Sequence, residues 1–256
     1  MVALMLYTRI PVPRFEPGDD DMGHAIAFLP LPGVIIAGLM YLLLGGAARI
    51  GIPVTVRAIA AVLVPLVVTG GFHTDGFMDT TDALRSYQPK ERKLEIMHDP
   101  HVGSFAVIGL VTAVLFMIAG LSLIAHISDP GGNGLIVNTC GIFVLSRAMA
   151  ALTSINMKKA RNDGLLRRET EDAGHTDNVI LAFWLIAAFA VMVHADAAAA
   201  CVVAISFAAF TLMYRHITRV NFGGVTGDTA GYYVTMSETV AVSVLAVSQA
   251  VMKIII

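Results

Sequence analysis

The chain is built from long apolar runs separated by short polar segments. A helix needs about 20 mostly apolar residues to cross a bilayer core. On that measure seven runs read as spans, at 25–46, 54–72, 104–127, 134–154, 179–194, 197–213 and 232–254. The third and fourth are divided by HISDPGGNG, a turn-rich linker, and the fifth and sixth by HAD alone, which makes a tight hairpin. The pattern predicts an all-α, polytopic helical bundle forming one transmembrane domain over residues 1–256. An eighth span or a fused pair is the alternative at the shorter runs. No internal repeat stands out. The first run, which begins after Pro30, has no cleavage-like context and is expected to stay in the mature chain.

Composition agrees. Of 256 residues 56% are hydrophobic and 14% charged, where a soluble domain carries about 25% charged. Mean hydropathy is +0.74. A net charge of −2 offers no basic face for nucleic acid. Cys140 and Cys201 both lie in apolar runs and read as buried small hydrophobes, not as a disulfide or a metal site.

Charge placement sets an expected orientation. With the N-terminus in the cytoplasm, thirteen of the 17 Lys and Arg fall on the cytoplasmic face. Only Arg49, Arg57 and Lys253 fall on the other, with Arg147 inside a span. The segments 73–103, 155–178 and 214–231 then share the cytoplasmic side, where a cytosolic substrate could reach them.

The candidate chemistry lies in those segments. Asp75, Asp79 and Asp82 are spaced i, i+4, i+7, which puts three carboxylates on one helix face. Beside apolar surroundings they repel one another, and a hard divalent cation such as Mg²⁺ or Mn²⁺ would resolve this. The bland alternative is a solvated helix end, against which Phe72, Phe77 and Met78 interleave with the acids. His73 reads as a general base, a phosphate donor or an interfacial histidine. In KERKLEIMHDPHVGS, a short amphipathic surface helix is expected to stop at Pro100, with Glu95 and Asp99 four apart. Those acids, with His98 and His101, read equally as ligands or as a polar helix end. Gly224, Gly227 and Asp228 lie in a glycine-rich stretch before the last run, where backbone N–H groups suit phosphate and Asp228 could add a carboxylate. Glu238 is an acid inside a span and Arg147 a cation inside another. Each reads as a site residue or as the other's partner, and such a pair could itself be part of the substrate site. The cations of 156–175 read as a topology signal or as charges steering a diphosphate. Together these features suggest metal-assisted transfer at a phosphate ester or diphosphate.

Several of the same segments carry a resemblance. TRIPVPRF (8–15), GGFHTDGFMDTTDAL (70–84), LEIMHDPHVGSFAV (94–107), SRAMAAL (146–152) and GGVTGDTAGYYVTMSETV (223–240) resemble the cobalamin synthase family, the adenosylcobinamide-GDP ribazoletransferases. The H-x-D-G-x-x-D-x-x-D element followed by L-E-I-M is the specific part, and the matches run nearly end to end. The resemblance implies a polytopic, Mg²⁺-dependent enzyme of the cytoplasmic membrane. Its substrates would be adenosylcobinamide-GDP and α-ribazole, or α-ribazole 5′-phosphate, and its products adenosylcobalamin, or its phosphate, and GMP. It implies Asp75, Asp79, Asp82 and Asp228 as metal ligands, with His73, Arg85, Glu95, Asp99, Arg147 and Glu238 lining the site. The family usually has arginines near His98 and His101 and an acid near Thr235, so the grip on the diphosphate differs here. Homo-oligomers are compatible with the sequence.

Two other classes compete. A CDP-alcohol phosphotransferase expects D-x-x-D-G-x-x-A-R, which DGFMDTTD does not supply, and an aromatic prenyltransferase expects two acidic clusters where the sequence has one. A transporter would set polar residues near the midplane of two repeated halves, whereas these cluster at one face.

Overall fold

The computed structural model describes residues 1–13, 23–128, 133–161 and 164–255. Arg14 and Phe15, at the end of TRIPVPRF, and part of the 156–175 loop lie outside the described residues. The elements are helical throughout: α1 (Val2–Tyr7), α2 (Ala25–Arg49), α3 (Val54–Thr69), α4 (Phe72–Arg85) and α5 (Lys90–Ile96). They continue with α6 (Ser104–Ile127), α7 (Gly134–Asn156), α8 (Leu165–Glu171), α9 (His175–Ala195), α10 (Ala197–Asn221) and α11 (Gly227–Ile255). Among the described residues, α2, α6, α7, α9, α10 and α11 are each long and apolar enough to cross a membrane. The chain is a multi-pass, all-α membrane protein.

The second expected span, 54–72, needs correcting. Its helix α3 ends at Thr69 after 16 residues, and the chain turns 97° into α4. Gly70 and Gly71 make the turn, at φ +65° and +84°. Two successive left-handed residues cost a side-chain-bearing residue dearly and glycine almost nothing. Arg9 seals the corner by donating its backbone N–H to the Val68 carbonyl at 2.8 Å. With its aspartates and threonines α4 is far more polar than α3.

Other boundaries shift toward longer helices. The fifth expected span starts at His175 instead of 179, the sixth runs on to Asn221, and the seventh starts at Gly227. Arg215 and Arg219 therefore belong to the last turns of α10, and the 214–231 loop shrinks to a few residues. The expected amphipathic helix is present as α5, but it ends at Ile96, so Asp99 is not on the same helix as Glu95.

The centre of the bundle is α7, whose apolar window is 78% buried. By contrast α9 stands at the edge, with Phe183 65% and Ile186 70% exposed. A bilayer covers such a wall, and in lipid it is close packing that joins helices. Small residues provide the closeness. A Cβ on Gly33 would strike the Phe143 carbonyl, and one on Gly120 would come within 2.8 Å of Val242. Cys140 is buried as expected, whereas Cys201 faces outward on α10; both are free.

Candidate active site

The site is assembled where α4 crosses the first turns of α11. A Cβ on Gly76 would lie 2.8 Å from the Asp228 Cα, and one on Gly231 would lie 2.8 Å from the His73 carbonyl oxygen. No side chain fits at either position, so the two backbones touch and Asp75 and Asp79 are brought toward Asp228. The start of α11 is fixed by a reciprocal cap. The Thr226 N–H donates to Thr229 Oγ1 at 2.8 Å, and the Thr229 N–H donates to Thr226 Oγ1 at 3.1 Å.

A cavity of about 270 Å³ opens at this crossing. Asp75 and Asp228 line it, and so do Lys159, Arg161, Arg167 and His98. Its buried part holds Tyr7, His73 and Glu169, which are 2%, 5% and 4% exposed, between apolar residues such as Ile26, Leu29, Leu166 and Val234. Three buried polar atoms here have no hydrogen-bond partner among the described residues: Tyr7 Oη, His73 Nδ1 and Glu169 Oε1. Burying such groups unpaired is costly.

The acids are under electrostatic tension. The Asp79 carboxyl is pushed up to about 7, first by partial burial and then by the charges of Asp75, Asp228 and Asp82. An oxygen-only donor set under mutual repulsion fits a hard cation such as Mg²⁺. Among the described residues, no three His, Cys, Asp or Glu side chains are gathered closely enough to hold an ion as they stand. Asp82 has another task. Its Oδ2 accepts the Gly103 N–H at 2.6 Å and its Oδ1 the Ala106 N–H at 2.9 Å, which ties α4 to the first turn of α6.

The cations are braced as well. Lys159 Nζ donates to the carbonyls of Ser154, Ile155 and Met157 at the end of α7, where a helix leaves its last carbonyls open. Its proton affinity is lowered by burial and then by Arg167. Arg161 contacts His98 and donates to the Leu94 carbonyl, which holds the 94–98 segment against the cavity.

Of the other expected site residues, Gly227 lines this cavity and the rest do not. Arg147 and Glu238 pair with each other, Nη1 to Oε1 at 2.6 Å, 1% and 7% exposed. Ser146 Oγ also donates to that oxygen at 2.7 Å. They are each other's partners, and as a pair they line a second cavity that also borders His73. Arg85 sits on a separate apolar groove between α4, α6 and α11. Glu95 pairs with Arg92 at the exposed surface, and Asp99 pairs with His101. Gly224 serves packing: a Cβ there would strike the Lys158 carbonyl, which would break the short bridge of Lys159 with Val225. Gly227 lines the cavity and has open space beside it. Tyr7 and Glu169 were missed by sequence reasoning. Tyr7 ends a six-residue helix, and Glu169 is one acid in the charged string RRETED; neither carries a local sign of burial.

Comparison with known proteins identifies relatives of this chain. The profile of the family described as cobalamin-5-phosphate synthase matches residues 1–246. An adenosylcobinamide-GDP ribazoletransferase of Lachnoclostridium phytofermentans is 32% identical, over 94% of this chain and 90% of that protein. The protein of the same name from Shewanella amazonensis is 30% identical, over 96% and 93%, and one from Clostridium perfringens is 29% identical, over 96% of each. No solved structure matches. The chain belongs to the cobalamin-5-phosphate synthase family.

Proposed function

We propose that the chain catalyses the reaction for which these relatives are named, joining adenosylcobinamide-GDP to α-ribazole or its 5′-phosphate. The acceptor's hydroxyl oxygen bonds to the phosphorus carried by cobinamide. The bond from that phosphorus to the bridging oxygen breaks, and GMP leaves with the oxygen. One observation carries the assignment of the site: Asp75 and Asp228, with Asp79 beside them, meet at a cavity that Lys159, Arg161 and Arg167 also line.

In this reading the three cations bind the diphosphate oxygens and orient the chain of the substrate. His73 takes the acceptor's proton. Burial and then the Arg147 charge hold its imidazole well below the usual range, so it is neutral and able to accept. Asp75, Asp79 and Asp228 would hold Mg²⁺, which when bound neutralises charge on the phosphates. The apolar walls exclude water that would otherwise compete as acceptor.

The test is GMP release by purified protein given both substrates, with and without Mg²⁺. Asp75→Asn and Asp79→Asn are expected to lower it at least about 100-fold while the protein remains folded, a loss typical of removing a charge-stabilising group. Undiminished turnover by either variant, or in excess chelator, would end the metal assignment.

The cavity opens to the cytoplasm in this reading, because the cations gather on its side of the bundle. A cysteine replacing Lys159, in a chain lacking Cys140 and Cys201, should resist an impermeant thiol reagent applied outside intact cells. Rapid labelling there would reverse the orientation.

A further inference from the structure

The buried part of the cavity contains groups that the transfer reaction does not use. Glu169 is 4% exposed and Tyr7 2%, and both line the same chamber as the acids and cations. Glu169 Oε1 and Tyr7 Oη lie beside each other, and neither makes a hydrogen bond of normal geometry among the described residues. Glu238, the other deeply buried glutamate, has Arg147 and Ser146. Among the described residues no cation is bonded to Glu169: Lys159 is engaged on the end of α7, Arg161 on the 94–98 segment and Arg167 with Glu171. The lining thus combines cations with apolar residues and, in its buried part, a carboxyl and a phenol.

A buried carboxyl among apolar walls selects a ligand edge presenting donors. A nucleoside fits this combination, since its phosphates would meet the cations and its flat base the apolar walls. Among bases, guanine offers two adjacent donors, the N1–H and the 2-amino group, which match the two oxygens of a carboxylate. Adenine has no N1–H. A benzimidazole offers only a ring-nitrogen lone pair, which would leave the carboxyl unmatched. We propose that Glu169, supported by the Tyr7 hydroxyl, reads the N1–H and 2-amino edge of a guanine base seated in this chamber. The inference rests on the transferase reading above, and it adds which part of the substrate the buried chamber takes and what sets nucleotide specificity.

The experiment uses the full-length protein in detergent micelles and titrates GMP, IMP and AMP by calorimetry, alongside the transfer assay. The wild type should bind GMP about 10- to 100-fold more tightly than AMP, the range expected when a buried charged acceptor loses its donors. IMP, with N1–H but no 2-amino group, should fall between them. Glu169→Gln should bring GMP close to AMP while leaving AMP unchanged, and Tyr7→Phe should narrow the gap by a smaller factor. Equal binding of the three nucleotides by the wild type overturns the proposal even if no variant can be purified. So does a Glu169→Gln protein that keeps the GMP preference, or one whose sole change is a higher KM for α-ribazole, which would seat the acceptor base in the chamber instead. If the base makes no difference but GMP is still released in the transfer assay, the guanine assignment falls and the transferase reading stands. If no transfer occurs under any condition, the transferase reading itself has failed.

Discussion

The two ends of the bundle treat their polar groups differently. At the end remote from the cavity, polar side chains close helices. Asn138 Nδ2 donates to the carbonyls of Gly134, Met192 and Asp196 at 3.1, 3.1 and 3.2 Å. Asn133 donates to the Tyr41 hydroxyl at 2.9 Å, and Asp196 accepts the Ala199 N–H at 3.0 Å. Two cations of that end do the same work: Arg57 donates to the carbonyls of Ile52 and Leu44, and Lys253 to that of Ile127. Asn138 Oδ1 is the exception among these side chains. At the cavity end Tyr7, His73 and Glu169 each keep an unpartnered buried atom, and Asp79 is pushed toward neutrality by its neighbours. Polar groups serve the fold at the remote end, whereas those around the cavity are poised for what binds there.

The two buried glutamates make the contrast sharp enough to break. Glu238 is held by Arg147, so Glu238→Ala leaves a buried guanidinium without its partner, which typically costs about 3–5 kcal/mol. Thermal unfolding in detergent should show the loss as a large fall in Tm. Replacing both residues with apolar ones of similar volume should restore most of it. A single variant as stable as the wild type would mean the pair does not hold α7 against α11.

Glu169 should behave in the opposite sense. Burial raises its carboxyl from 4.5 to about 7, the nearby Tyr7 hydroxyl pulling the other way. The unfolded chain ionises this group first, so the folded state is progressively disfavoured as pH climbs from the unfolded value to the folded one. Glu169→Gln removes that penalty. The variant should therefore be more stable than the wild type at pH 8, by at most about 3 kcal/mol, and equal to it near pH 4. Stabilisation combined with a lost GMP preference would mark Glu169 as a residue kept for its ligand. An unchanged or lower Tm at pH 8 would show that the carboxyl is already paired.

Much of the fold was legible because crossing a bilayer is a length-and-composition problem, and α2, α6 and α7 begin and end close to where the apolar runs do. The 97° corner was not legible as a corner. Gly70 and Gly71 extended an apolar run by two residues, and nothing in the run itself says that both adopt positive φ. The acids were visible by their spacing. The crossing that brings Asp228 to them was not, since it depends on Gly76 and Gly231 lying opposite each other across 155 residues of chain. The buried part of the chamber was hidden for the same reason: Tyr7 and Glu169 come from two short helices far apart in sequence that meet only in the folded chain. Arg147 and Glu238 were conspicuous as charges within apolar runs, but their spacing could not say whether they would meet.

The smallest effect divides the aspartates themselves. Asp75, Asp79 and Asp82 share one face of α4, yet Asp82 alone spends both oxygens on backbone donors, at Gly103 and Ala106. Asparagine keeps one acceptor oxygen and puts an amide N–H where the other stood, so Asp82→Asn leaves one of those two donors unmatched. That is the loss of a helix cap, worth about 1 kcal/mol, and it should appear as a modest fall in Tm with GMP release still within about tenfold of the wild type. Asp75→Asn should show the reverse, a near-unchanged Tm and a transfer rate down at least about 100-fold. If Asp82→Asn lost activity as steeply as Asp75→Asn while remaining folded, the trio would act as one unit. The carboxylate tied to α6 would then belong with the acids at the crossing, and a substrate or cation would have to reach as far as the last turn of α4.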